Sequence, residues 1–112
     1  MRSDLNLIRG TVDLLVLKAI SGEARHGYAV SQWIKEVTKG ALLIEEGSLY
    51  PALHRIERKG WISARWGVSD TGRRARFYEL TDEGRTRLEH ELETWRQYSE
   101  AIQAAVTAEV TT

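Results

Sequence analysis

The chain of 112 residues has no cysteine, one proline and no long apolar run. The missing cysteine excludes a disulfide framework and thiolate zinc sites, which fits a reducing compartment. The longest apolar stretch, Leu14 to Leu17 with Ala19 and Ile20 beyond Lys18, falls far short of the roughly 18 residues of a membrane-spanning helix. The opening Met1-Arg2-Ser3-Asp4 carries an early acid and leads to no apolar segment with a cleavage signal, so a secretory leader is not expected. Catalytic templates are also missing: there is no Gly-Xaa-Ser-Xaa-Gly elbow, no phosphate-binding glycine loop and no His-Glu-Xaa-Xaa-His helix. His26, His54 and His90 are too scattered to hold a metal. The expectation is a cytoplasmic protein that is not an enzyme and carries no cofactor or metal.

What is present fits one domain plus an appended element. Hydrophobic residues make up 42%, enough for a core, and charged residues 29%. The net charge is zero, but it hides an asymmetry. Residues 1–80 hold 13 Lys and Arg against 9 Asp and Glu, whereas residues 81–112 hold 3 against 7. A basic body followed by an acidic tail fits a nucleic-acid-reading unit joined to a segment with another task.

Apolar spacing gives the elements. Gly10 to Ser21 reads as a buried helix, with Gly22 as a left-handed cap. A second helix starts near His26-Gly27, places Val30, Trp33, Ile34 and Val37 on one face, and stops at Gly40. Leu42-Leu43-Ile44 is too short for a helix and suits a small strand or an extended connection. A third helix is expected from Ser48 to about Lys59, with Ser48 as its cap, Pro51 in its first turn and Gly60 after its end. Its inner stripe is Leu49, Leu53 and Ile56. The opposite face carries Pro51, His54 and Arg58, flanked by Tyr50 and Arg55.

After Gly60 the period becomes two. Ile62, Ala64, Trp66 and Val68 alternate along one strand, Ser69-Asp70-Thr71-Gly72 supplies a turn, and Arg76 to Leu80 returns. Arg73, Arg74 and Arg76 cluster beside the turn. Thr81 then caps a last helix, with Asp82 and Glu83 where the helix dipole favours negative charge. That helix runs beyond Ala105, and Leu88, Leu92, Trp95, Ser99, Ile102 and Val106 form a seam of alternating four- and three-residue steps. Such a seam needs a partner, and a second copy of the chain is the simplest one.

Three helices and a basic hairpin make the winged helix-turn-helix order, an α+β fold that is mainly α. In it the third helix enters the major groove of double-stranded DNA and the wing follows the backbone. The expected division is a DNA-binding unit over residues 1–81 and a dimerisation helix over 82–112.

Four blocks carry a family resemblance. They are Leu7-Ile8-Arg9-Gly10-Thr11-Val12-Asp13-Leu14-Leu15, His26-Gly27-Tyr28, Glu46-Gly47-Ser48-Leu49-Tyr50-Pro51-Ala52-Leu53-His54-Arg55 and Gly72-Arg73-Arg74-Ala75-Arg76-Phe77-Tyr78-Glu79-Leu80-Thr81. In these the chain resembles the PadR transcriptional regulators. The resemblance implies a homodimeric repressor on inverted-repeat operators, released in several relatives by a small aromatic or cationic effector. It assigns Ser48, Tyr50, Pro51, His54 and Arg55 to the recognition helix and Arg73, Arg74 and Arg76 to the wing. Trp95 stands where some relatives place a tryptophan against flat ligands. Phe77 departs from the tyrosine common in the family.

Each assignment has a plainer competitor. Tyr50 either meets DNA or packs on the second helix, and Pro51 either meets DNA or only starts its helix. His54 is either a contact or a solvated side chain. Arg55 and Arg58 either reach DNA or pair with Glu57 or another acid. Trp95 is explained by seam packing or by an effector pocket. Trp33, Trp61 and Trp66 read as core or hairpin packing. His26 either helps hold a phosphate or shapes the helix entry. A winged helix that docks onto a protein is the rival to the whole reading; it would show an apolar patch where a DNA reader shows arginines.

Overall fold

The first helix forms where the sequence is most apolar. In the computed structural model, which describes residues 10–111, α1 (Thr11–Ser21) buries Val16, Leu17, Ala19 and Ile20. Leu7, Ile8 and Arg9 of the family blocks, and the opening Met1 to Asp4, lie outside the described residues. The elements continue as β1 (Arg25–His26), α2 (Gly27–Val37), α3 (Glu46–Arg58), β2 (Ile62–Val68), β3 (Arg74–Leu80) and α4 (Asp82–Thr107). The three strands form one antiparallel sheet in the order β1-β3-β2. This is the expected winged helix: α+β, mainly helical.

The core gathers Val16, Leu17 and Ile20 of α1, Val30 and Ile34 of α2, and Leu49, Leu53 and Ile56 of α3. Ile62, Tyr78 and Leu80 close it from the hairpin, and Leu88 from α4. Each helix contributes one stripe and each strand alternate residues, so the sequence period determines which faces meet.

Several local expectations change. Gly22 is not left-handed (φ −87°); the left-handed glycine at this helix is Gly10, before its start (φ 91°). Leu42-Leu43-Ile44 makes no strand, and only Ile44 of the three is buried. The small strand is Arg25–His26 instead, which pairs with Tyr78 and Phe77 along the free edge of β3. Val37, the last residue of α2, is exposed, although Ile34 in the same turn is fully buried. There the Gly40 N–H donates to the Lys35 carbonyl and the Lys39 N–H to that of Glu36. This is the Schellman pattern, with Lys39 (φ 53°) in the left-handed position that glycine usually fills.

The junction into the last helix is tightly tied. The Thr81 side chain accepts from the Gly84 N–H at 3.0 Å, as an N-cap should, and donates to the Gly60 carbonyl at 2.6 Å. The Thr81 N–H donates to the Trp61 carbonyl at 3.1 Å. Gly84 lies so close that a Cβ there would sit 1.9 Å from the Trp61 oxygen. Glycine is therefore required at this position by contact, not by backbone conformation.

Candidate nucleic-acid interface

The site is built on α3 and the β2–β3 hairpin. Leu49, Ala52, Leu53 and Ile56 pin α3 to the core, which leaves Ser48, Tyr50, Pro51, His54, Arg55 and Arg58 on its outer side. The helix begins two residues before the expected start. Glu45 is its N-cap, without a side-chain cap bond, and Ser48 stands exposed in the first turn rather than capping it. Acids at positions 45 and 46 suit the positive end of the helix dipole, which explains the earlier start. Pro51 accordingly falls in the second turn, where its missing N–H leaves the carbonyl of exposed Gly47 to solvent.

Tyr50 packs on the start of α2. A Cβ on Gly27 would meet its ring at 2.9 to 3.1 Å, so Gly27 leaves the space the ring fills. Burial pushes the Tyr50 phenol up from its ordinary pKa, and nearby Glu46 and Tyr78 add to the shift. His26 is structural too: its Nδ1 accepts from the Ala29 N–H at 3.2 Å and caps α2, while its ring meets Phe77 edge-on.

The arginines divide into two groups. Arg55 of α3 pairs with Asp13 of α1, and Arg76 of β3 makes a two-pronged pair with Glu57 of α3, at 3.1 and 2.9 Å. Arg58 and Arg73 pair with no acid among the described residues. The Arg74 guanidinium lies 4.4 Å from the centroid of the Trp66 ring. His54 is exposed. The face thus presents Arg58, Arg73 and Arg74 without an acid partner, beside two arginines held by carboxylates.

Trp66 does not belong to the core. Along the hairpin side that turns toward α3, Ile62 is 2% exposed, but Trp66 is 58% and Val68 70%. The hairpin outgrows the domain beyond Ala64, and its outer half projects. Neither Trp66 nor the acids Asp13 and Glu57 were among the expected site residues. The alternation placed Trp66 on the correct side; only the reach of the core decides that it is exposed.

A second region lies along α4. Leu88 is a core residue of this chain, 7% exposed, which takes the first position of the expected seam into the domain. Leu92, Trp95, Ile102 and Val106 are exposed, as is Tyr98, while Ser99 is half-buried and donates to the Arg96 carbonyl. Thr11 and Leu14 of α1 face Glu91, Thr94, Trp95 and Tyr98 of α4 across an open cavity of about 400 Å³.

Residues 16–90 match the family model described as the transcriptional regulator PadR-like family. The chain belongs to this family. It is 37% identical to an uncharacterised protein of Lysinibacillus sphaericus over 91% of this chain and 92% of that one. It is 34% identical to the transcriptional regulator Rv3488 of Mycobacterium tuberculosis over 71% of each chain. The crystal structure of a PadR-like transcriptional regulator from Bacillus cereus superposes with a TM-score of 0.78 at 28% identity, covering 90% of this chain and 96% of that one. The PadR assignment makes the chain a DNA-binding transcriptional regulator and not an enzyme. In a PadR-type regulator α2 and α3 are the helix-turn-helix pair and β2–β3 is the wing, so the unpaired arginines stand on the two elements that such a domain turns toward DNA.

Proposed function

We propose that the chain is a repressor that binds an inverted-repeat operator as a homodimer and is released by a small aromatic or cationic effector. The observation that carries the DNA side is the placement of Arg58 on the outer face of α3 and of Arg73 and Arg74 on the wing, none with an acid partner among the described residues. Cations on a rigid helix and an adjoining hairpin suit a groove and its flanking phosphates. Ser48, Pro51 and His54 share the exposed face and fall to base or phosphate contact. Arg55 and Tyr50 stand at its edges, and Arg55 reaches phosphate only by leaving Asp13.

The α4 row of Leu92, Trp95, Ile102 and Val106, with Ser99 between them, supports dimerisation through a second copy. Residues 82–112 act as the dimerisation segment and 1–81 as the reading unit, with Gly84 and Leu88 packed into the latter's core. The cavity beside Trp95 supports an effector site of stacking character. No described helix is long and apolar enough to cross a membrane, and a chromosomal regulator of this kind works in the cytoplasm.

Exposed Trp66 and Val68 favour a second reading, in which the wing docks onto a protein. Arg74 lying over the Trp66 ring weighs against it, because a cation stands at the apolar surface that a protein partner would dock on.

The experiment is duplex binding by the purified chain across a salt series, using the region upstream of its own gene and a scrambled control. Selective binding is expected, lost in Arg55→Ala/Arg58→Ala and weakened with a shallower salt slope in Arg73→Ala/Arg74→Ala. A folded dimer that binds no duplex at low salt refutes the reading in favour of protein docking. Unchanged induction in a dimeric Trp95→Ala variant removes the effector site.

A further inference from the structure

Arg76 and Glu57 do not fit a simple basic surface. The arginine Nη1 donates to one carboxylate oxygen of Glu57 and its Nη2 to the other, with the two side chains 38% and 27% exposed. Two parallel charge-assisted bonds fix the guanidinium in angle as well as position. Glu57 lies in the last turn of α3, and Arg76 stands opposite Trp66 where the hairpin leaves the core. Among the described residues, no other hydrogen bond or ion pair joins the outer half of the hairpin to α3.

We propose that Glu57 is a specificity-determining residue of this regulator, which through Arg76 sets the wing against the recognition helix and withholds that arginine from phosphate. The inference rests on the DNA-binding reading above. Phosphate contacts are indifferent to sequence, so each free arginine raises affinity for every duplex alike. A carboxylate inside the basic face lowers that general attraction. By holding the wing at one angle to α3, it also makes backbone contacts available only when α3 is seated in its own site. Arg76 is then a positioning residue and not a phosphate contact, which separates it from Arg73 and Arg74.

The test uses the full chain, a duplex that it selects from a randomised pool, and a scrambled duplex, with binding measured across a salt series. Glu57→Gln is expected to tighten binding to the scrambled duplex and to steepen its salt slope by about one per protomer, as one freed arginine should. The same variant weakens binding to the selected duplex, so the ratio of the two affinities falls about tenfold, comparable with one mismatched base pair. Arg76→Gln also lowers the ratio, because the wing loses its tie to α3. The exchange Glu57→Arg with Arg76→Glu restores much of the ratio that each single change loses. A reduced folded fraction scales both affinities equally and leaves the ratio untouched, so simple destabilisation does not mimic the effect. An unchanged ratio in Glu57→Gln or in Arg76→Gln, or an unchanged scrambled-duplex slope in Glu57→Gln, overturns the proposal. A wild-type chain that selects no duplex overturns the DNA-binding reading itself.

Discussion

The two parts of α4 differ in what holds them. From Asp82 to Leu88 the helix is part of the domain: Thr81 caps it, Gly84 lies against the Trp61 backbone and Leu88 enters the core. From Glu89 onward no described residue is buried. That part borders α1 across the open cavity at Trp95, carries the Arg96 bridge to Glu93 and Glu100, and exposes Leu92, Trp95, Ile102 and Val106. In proteins most helical stability comes from packing of an apolar face rather than from propensity. One continuous helix therefore joins a segment held by the domain core to one whose apolar side chains are exposed.

The comparison breaks most severely at Gly84. Gly84→Ala places a methyl against a backbone carbonyl that cannot yield cheaply, and a loss of about 3 kcal/mol or more is expected in urea denaturation. The next test sets Leu88→Ala beside Ile102→Glu. The first removes core volume and costs about 2–4 kcal/mol while a folded chain still associates. The second leaves the unfolding midpoint of the body unchanged but raises the dimer dissociation constant by about a hundredfold or more in sedimentation. A smaller loss, about 1 kcal/mol, is expected for Thr81→Ala, which removes the cap.

The smallest effect concerns Glu93. Hydrogen bonds from Arg96 and then Gln97 hold its carboxyl well below the usual range, at about 2. A depressed folded-state pKa means that its contribution is present above the unfolded value, about 4.3, and is lost as the pH falls toward about 2. Circular dichroism should show the wild type losing helicity over that window relative to Glu93→Gln. Salt should shrink the difference, because the group is fully exposed.

Much of this was legible because its causes are local. Thr81, Asp82 and Glu83 announce a helix start within three residues, and the change of period after Gly60 announces the hairpin. The ion pairs were not legible, since Asp13 and Arg55 are 42 residues apart and Glu57 and Arg76 are 19 apart. An acid next to Arg58 in sequence is as good a candidate partner as any; tertiary packing gives Glu57 to Arg76 instead. The same limit applies to β1, where two residues become a strand only because β3 has an open edge. It applies also to Leu88, whose spacing fits both a seam and a core.

Thr81 also has a mechanical consequence. Through four bonds, two of them to the first turn of α4, it joins that helix to the carbonyl behind α3 and the base of the wing. The winged-helix body and the long helix are thus tied together at one residue, and α4 extends from it for about 39 Å at 1.5 Å per residue. A tilt of about 5° at its far end sweeps about 3.4 Å, the rise of one base pair.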